Sequence, residues 1–143
     1  MQETKPANIH VSMLKGQWTE ESARRAVDSW LKLSTSQKAT IDLIVSQNDA
    51  MAIGARKAFQ EVPNENERER WLSIPFLGCD GVPKTGQSWV RSGLLLATIL
   101  TPPSTGPAIE MLVDALKNNR HLPERALVVC ASIPPLENLR ATK

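Results

Sequence analysis

The sequence is poor in cysteine and histidine, with two of each among its 143 residues. Cys79 and Cys130 stand at or near the ends of apolar runs, which favours two buried thiols that pack as small hydrophobic side chains. A disulfide remains the alternative, and it would need Cα atoms within about 7 Å. His10 and His121 have no ligand-like spacing with the cysteines or with each other, so we predict no metal site.

Long apolar runs are also missing, since no stretch approaches the roughly 18 to 20 apolar residues of a membrane span. Residues 1–7 are polar and lack the apolar centre of a secretory signal. We therefore expect a soluble chain that is mature, truncated or cytoplasmic. The formal net charge is +2, and no dense basic run is present. Such a small surplus gives no long-range field, so we predict no direct binding of nucleic acid.

Sequence motifs of catalysis are absent as well. The chain has no Gly-x-Gly-x-x-Gly loop, no phosphate-binding P-loop and no Gly-x-Ser-x-Gly elbow. No histidine stands near a candidate nucleophile. We therefore predict a protein that is not an enzyme, with no catalytic residues and no cofactor.

The chain does contain strand-like and helix-like segments in alternation, with 41% hydrophobic and 22% charged residues. This alternation predicts one α/β domain over residues 1–143, with a mostly parallel, Rossmann-like sheet of about five strands and helices on both faces. The predicted strands are 8–13, 41–45, 72–77, 94–100 and 126–131. The predicted helices are 20–33, 50–62, 82–92 and 105–119, and the tail 132–143 is predicted to be irregular.

Four local signals refine these boundaries. Asp49 is a candidate N-cap of the helix that follows it. Residues 63–67 are polar and predict a turn. Pro75 is unsuited to a central strand and indicates an edge strand or a bulge. Gly93 is predicted to end the third helix in the left-handed conformation.

Polar residues follow the first four predicted strands. They are Gln17-Trp18, residues 46–49, residues 79–81 and Thr101. Because ligands of open α/β sheets bind beyond the carboxyl ends of the strands, these residues should line one rim. Amides and carboxylates bind adjacent hydroxyl groups, and an indole offers a flat apolar face. The rim therefore suits a neutral polyhydroxylated ligand.

Each member of this rim also has a purely structural explanation. Asn48 and Asp49 are typical helix caps. Asp80-Gly81 is a typical turn. Trp18 could equally be a core residue that covers the first helix. The convergence of the four groups, rather than any one of them, indicates a binding site.

The wording of several segments resembles a known family. Residues 41–59, IDLIVSQNDAMAIGARKAF, resemble the "Q-N-D-x-M-A-x-G-A" segment of periplasmic sugar-binding proteins of ABC importers. Residues 74–81, IPFLGCDG, resemble that family's strand ending in Gly-x-Asp-Gly. Residues 90–100, VRSGLLLATIL, resemble its "G-x-hydrophobic-x-A-T-I" segment, and residues 17–21 its "D-W-[ST]-x-E" turn. This ribose-binding-like family shares its fold with the ligand domains of LacI-type regulators.

The resemblance implies two α/β lobes that close on a sugar like a hinge. It implies that Asn48 and Asp80 bind sugar hydroxyls and that Trp18 lines or stacks on the ring. Thr101 stands where the family commonly has glutamine, which is a departure. With Gln47 from the matching motif, the predicted ligand-binding set is Trp18, Gln47, Asn48, Asp80 and Thr101.

The resemblance also implies that this chain is the C-terminal lobe of a truncated receptor, with a crossover helix at about 102–120 that belongs to an absent N-terminal lobe. Its partners would be a small sugar and, for the full-length receptor, a membrane permease, in the periplasm or outside the cell. A helix without its lobe must pack its apolar face on this lobe or on a second copy of the chain, and our hypothesis is a homodimer of the fragment. The alternative is the effector-binding domain of a LacI-type regulator in the cytoplasm; the Gln47-Asn48-Asp49 wording favours the transporter.

Overall fold

A computed structural model describes residues 9–139 as a four-stranded sheet with helices packed on it. The strands are β1 (Ile44–Val45), β2 (Phe76–Asp80), β3 (Ala97–Leu100) and β4 (Ala131–Ile133). The helices are α1 (Glu20–Leu31), α2 (Ser34–Gln37), α3 (Asp49–Gln60), α4 (Glu65–Leu72), α5 (Gly86–Arg91) and α6 (Thr105–Asn118), and a 3₁₀ turn spans Leu136–Asn138.

The sheet has the order β1-β2-β3-β4, in which the first three strands are parallel and β4 is antiparallel to β3. The predicted α/β class with a mostly parallel sheet is therefore confirmed. The predicted number of about five strands is wrong, because the described residues form four.

Aromatic side chains from α1, α3, α4 and β2 form the centre of the core. Trp71 is completely buried. Its ring centroid lies 5.2 Å from that of Phe59, which it stacks on, and 5.4 Å from that of Trp30 in an edge contact. Phe76 brings β2 into the same cluster through an edge contact with Phe59 at 6.1 Å. Burial of these large aromatic surfaces stabilises the fold.

The first helix begins where the sequence predicts. Thr19 and Ser22 form a reciprocal capping box, in which each side chain accepts a hydrogen bond from the other residue's backbone N–H. The acidic residues Glu20 and Glu21 lie in the first turn, at the positive end of the helix dipole. α1 packs on α3, where Gly54 allows the backbone of Glu20 to come unusually close.

The region from 63 to 75 differs from its prediction. Residues 65–72 form helix α4, and the Asn64 side chain caps that helix by accepting a hydrogen bond from the backbone N–H of Glu67 at 2.9 Å. The predicted turn at 63–67 and the start of the strand at 72 are therefore wrong. The cap and the burial of Trp71 stabilise helix in a segment whose composition is mostly polar.

Pro75 limits the lengths of β1 and β2. β1 pairs with β2 from Ile44 onward, and the carbonyl of Pro75 accepts a hydrogen bond from the backbone N–H of Ile44 at 3.0 Å. Proline has no N–H to continue this ladder backward, so the predicted strand at 41–45 is reduced to its last two residues. β2 starts one residue after Pro75 and is an interior strand, not an edge strand.

Residues 9–13 do not form the predicted first strand, and Asn8 lies outside the described residues. The alternating apolar side chains Ile9, Val11 and Met13 are all exposed. A strand needs a neighbour to satisfy its backbone groups, and the described sheet begins at β1 without this segment. The alternation of these residues is typical of a strand, but they pair with no strand of the described sheet.

The last strand also differs from its prediction. Residues 126–130 have no regular structure, whereas β4 forms at Ala131–Ile133, in the tail predicted to be irregular. Cys130 is exposed and Cys79 is partly buried, and both are free thiols. The prediction of two buried thiols is therefore wrong for Cys130, because the apolar run before it lies outside the sheet.

The helix predicted at 105–119 is present as α6, but none of its residues is buried. Its apolar side chains Ile109, Leu112, Val113 and Leu116 are between 41% and 75% exposed. The third predicted helix is shortened to α5, and Gly93 after it has a φ of +73°, as expected for a left-handed residue. None of the helices among residues 9–139 is long and apolar enough to cross a membrane.

Candidate functional site

Asn48 connects the first two polar groups of the predicted rim. Its side-chain oxygen caps α3 by accepting a hydrogen bond from the backbone N–H of Met51 at 2.8 Å. Its amide nitrogen donates to the backbone carbonyl of Trp18 at 3.0 Å. The helix cap is thus Asn48 rather than Asp49, which corrects the prediction, and the cap also holds the Trp18 backbone beside the carboxyl end of β1.

Trp18 presents its indole to solvent. The side chain is 63% exposed, and the backbone has a φ of +63°, in the left-handed region that a bulky residue rarely occupies. The alternative that Trp18 covers α1 as a core residue is therefore wrong. An exposed indole held by its own backbone in a strained conformation is a surface available to a ligand.

Asp80 and Gly81 form a sharp turn at the carboxyl end of β2. Both residues have positive φ angles, +106° for Asp80 and +65° for Gly81. The backbone carbonyl of Asp80 accepts a hydrogen bond from the N–H of Thr101 at 3.3 Å, which joins this turn to the end of β3. The Asp80 side chain is exposed, so its carboxylate can accept hydrogen bonds from outside the chain.

The electrostatics of this edge are governed by two neighbouring carboxylates. Partial burial and, to a lesser extent, the negative charge of Asp49 raise the pKa of Asp80 above its usual value. Burial likewise raises the pKa of the Cys79 thiol on the same strand, which keeps it in the neutral form. The edge therefore presents the exposed Asp80 carboxylate, with the buried Asp49 carboxylate behind it and the neutral Cys79 thiol on the same strand.

The five predicted site residues are arranged as follows. Two pairs are bonded directly at the carboxyl edge of the sheet, Asn48 with Trp18 and Thr101 with Asp80. The bond between Asp49 and Gly81 links the two pairs. Gln47 precedes Asn48 and is exposed, as is Thr101. The structure brings all five to one edge of the sheet. Their contact with a ligand stays a prediction.

Sequence reasoning missed the residues that support this edge. Asp49 is buried and bonds the turn at Gly81 and the hydroxyl of Thr98, and Gln87 donates to the Gly81 carbonyl at 2.8 Å. The position of Asp49 before a predicted helix indicates an N-cap, and this interpretation conceals its supporting role. No periodicity marks Thr98 or Gln87, because their roles depend on contacts between distant elements.

Two open grooves lie elsewhere on the described surface. One open groove is lined by Lys15, Gln17, Ser22, Arg25, Ala26 and Ser29. Another lies between α1 and α3 near Asp28 and Glu61. Neither groove includes Asn48, Asp80 or Thr101. Gln47, Asp80 and Thr101 are exposed at the edge, so a ligand there would remain open to water on one side.

No group of three or more His, Cys, Asp or Glu side chains within residues 9–139 is arranged to hold a metal ion.

The fold and this edge define an α/β lobe of the periplasmic-binding-protein type. A fructose-binding periplasmic domain of a hybrid two-component system matches 85% of this chain and 37% of its own chain, with a TM-score of 0.65 and 24% identity. At that level of identity the match shows the fold.

Two further relatives connect the sequence to named sugar-binding proteins. The D-galactose/methyl-galactoside binding periplasmic protein MglB of Haemophilus influenzae is 30% identical over 110 residues. A periplasmic solute-binding protein of an ABC transporter from Actinobacillus succinogenes, solved with bound D-allose, is 26% identical and has a TM-score of 0.62. The resemblance to periplasmic sugar-binding proteins of ABC transporters is therefore confirmed.

The chain spans about a third of the length of these relatives. The match covers 76% of this chain and 30% of the Haemophilus influenzae protein, and 80% of this chain and 37% of the Actinobacillus succinogenes protein. No model of a known protein family matches the chain.

Proposed function

We propose that the chain carries part of the sugar-binding site of a solute-binding receptor that serves an ABC uptake system. The observation that supports this proposal is a pair of contacts at the carboxyl ends of the parallel strands: Asn48 is bonded to Trp18, and Thr101 to Asp80. Their sequence neighbours Asp49 and Gly81 link the two pairs by a further hydrogen bond. The similarity to sugar-binding periplasmic proteins supports the same assignment.

The edge supplies the groups that a sugar needs. The exposed Asp80 carboxylate accepts hydrogen bonds from one or two adjacent hydroxyls, and Asn48 retains a second amide hydrogen and a second oxygen lone pair. The Trp18 indole stacks on the apolar face of the ring. Gln47 and Thr101 contribute further polar groups beside them.

We expect this chain alone to bind a sugar weakly. The edge is open, so the ligand keeps part of its water and meets few protein groups. We expect dissociation constants on the order of 1 mM or higher, equivalent to about 4 kcal/mol of binding free energy. A surface that faced the edge from another lobe would add contacts and exclude water.

The first experiment is isothermal titration of the chain with a panel of hexoses, pentoses and inositols. We expect heat with at least one sugar, and a loss of about tenfold or more in affinity in Asp80→Ala, since hydrogen bonds to a charged group are lost. Asp42→Ala is the matched control, because this exposed carboxylate precedes β1, at the opposite end of the strand. Silence across the panel, or an equal loss in both variants, would contradict the proposal.

The remaining assignments follow from the same resemblance. We propose a periplasmic or extracellular location, a membrane permease as partner of the full-length receptor, and no catalytic activity. The regulator alternative is not favoured, because the named relatives are periplasmic binding proteins. The assignment of residues 1–143 as one domain, with a crossover helix at about 102–120, stays a prediction.

Dimerisation of the chain is also proposed, on the basis of α6. Its exposed apolar residues Ile109, Leu112, Val113 and Leu116 form a patch that a second copy can cover. We expect light scattering to report a dimer whose mass falls on dilution, and Leu116→Glu to be monomeric. A monomer across a wide concentration range would exclude the dimer and leave the sugar site unaffected.

A further inference from the structure

Asp49 is a buried carboxylate in the second layer of the candidate site. The residue is 3% exposed. One carboxylate oxygen accepts a hydrogen bond from the backbone N–H of Gly81 at 2.9 Å, and the other accepts from the hydroxyl of Thr98 at 2.6 Å. Asp49 thus joins the start of α3 to the turn after β2 and to the interior of β3.

The surrounding chain is shaped to receive this carboxylate. A Cβ atom added at Gly78 or at Gly86 would overlap an oxygen of the Asp49 side chain. Gly78 belongs to β2, and Gly86 is the first residue of α5. β2 and α5 therefore contact the Asp49 side chain at glycine residues, and any side chain at these two positions would displace the Asp49 carboxylate.

Helix capping does not account for Asp49. Asn48 already caps α3 through its hydrogen bond with the N–H of Met51. The Asp49 carboxylate points instead toward Gly81 and Thr98, which are 32 and 49 residues away in sequence. As the first helical residue, Asp49 also benefits from the positive end of the α3 dipole.

The turn that Asp49 holds is the one that presents Asp80. The backbone of Asp80 has a φ of +106°, which is unfavourable for a residue with a side chain, and Gly81 follows at +65°. Gly81 is fixed on both sides, since its N–H donates to Asp49 and its carbonyl accepts from Gln87. A strained conformation persists where the surrounding contacts determine it.

We propose that Asp49 is a positioning residue for sugar binding, which sets the direction of the Asp80 carboxylate by fixing the Asp80-Gly81 turn. This inference rests on the proposed function. Asp49 does not touch the ligand in this arrangement; it acts through Gly81 and, by way of Thr98, through β3. The site is therefore preorganised before a sugar arrives, which reduces the cost of ordering on binding.

The test uses the whole 143-residue chain, nitrogen-15 labelled, with D-galactose as the probe. Asp49→Ala leaves the Gly81 amide without its partner. We expect its resonance to move and the affinity for D-galactose to fall about tenfold, since the turn is no longer fixed and the Asp80 carboxylate must be ordered when the sugar binds. Thr98→Val, which keeps the shape of the side chain, should lower the affinity about threefold. Thr98→Ser should restore it, because the hydroxyl is retained.

Ser36→Ala is the matched control. Ser36 is as buried as Thr98, and its hydroxyl donates to the carbonyls of Leu31 and Leu33 at the end of α1, away from the site. This variant should lose stability while the Gly81 resonance and the affinity stay as in the wild type. It separates general destabilisation from loss of position, and Thr98→Val keeps the test valid if Asp49→Ala does not fold.

The outcomes distinguish the two proposals. If the wild-type chain binds D-galactose and both Asp49→Ala and Thr98→Val retain full affinity, the positioning role is wrong and the sugar site stands. If Thr98→Ser weakens binding as much as Thr98→Val, the hydroxyl is not responsible and the positioning role is also wrong. If the Gly81 resonance moves as expected but the wild type gives no response to any sugar, the proposed function fails.

Discussion

Replacing Trp71 with alanine is expected to lower the free energy of unfolding by about 4 kcal/mol, which is within the range for deletion of a buried aromatic ring. Trp71 is 0% exposed and is in contact with the rings of Trp30 and Phe59. Its loss would leave a cavity between α1, α3 and α4. Because small domains have stabilities of roughly 5 to 15 kcal/mol, this change removes a large part of the total stability.

The measurement for Trp71 is urea denaturation followed by circular dichroism. Trp18→Ala is the control, because Trp18 has the same side chain but an exposed indole, so its removal should change stability by less than about 0.5 kcal/mol. Equal losses in the two variants would contradict the placement of the core.

A second large effect is expected for Gly54→Ala in α3. Alanine in the middle of a helix normally gains about 1 kcal/mol over glycine. Here the added methyl group would overlap the backbone carbonyl of Glu20 in α1. Overpacking of this kind costs about 1 to 3 kcal/mol and sometimes more, and the obstacle is backbone that no rotamer change can remove. We expect a net loss of about 2 kcal/mol.

The sign of the Gly54→Ala effect is the decisive observation. A stabilised variant would show that α1 does not approach α3 as closely as described. Gln60→Ala supplies the comparison, since Gln60 is exposed in the same helix and its replacement should be close to neutral. Thermal unfolding of the three proteins measures the difference.

Helices were the most predictable part of this fold, because their signals are local. The helices predicted at 20–33, 50–62 and 105–119 are present as α1, α3 and α6. α4 was missed although Asn64 stands three residues before Glu67, since a highly polar segment gave no apolar stripe. Its single buried residue, Trp71, was enough to hold the helix in place.

Strands were less predictable, because a strand exists only where a neighbour is available. Residues 9–13 alternate as a strand should, yet they have no partner in the described sheet. Ala131–Ile133 has a weaker pattern but pairs with β3. Pro75 lies directly before the neighbouring strand β2 and limits the length of β1. The residues of β1 themselves give no sign of this limit.

The rim of polar residues was predictable from the order of strands, because carboxyl ends of parallel strands meet at one edge. The supporting contacts were not. Asp49, Thr98 and Gln87 are separated by up to 49 residues in sequence, and their roles depend on the distances between folded elements. The location of the rim could therefore be predicted from the sequence, whereas the hydrogen bonds that hold it could not.

A sugar site at the carboxyl edge of the sheet can be tested by chemical-shift mapping of the nitrogen-15 labelled chain. The ligands are D-galactose, methyl galactoside, D-allose and myo-inositol. We expect a saturable response from at least one ligand, with the largest shifts at the Trp18 indole and at the amides of Asn48, Asp80, Gly81 and Thr101. A response centred on α6 or on the groove near Lys15 and Arg25, with these positions unmoved, would contradict the sugar site at the carboxyl edge of the sheet.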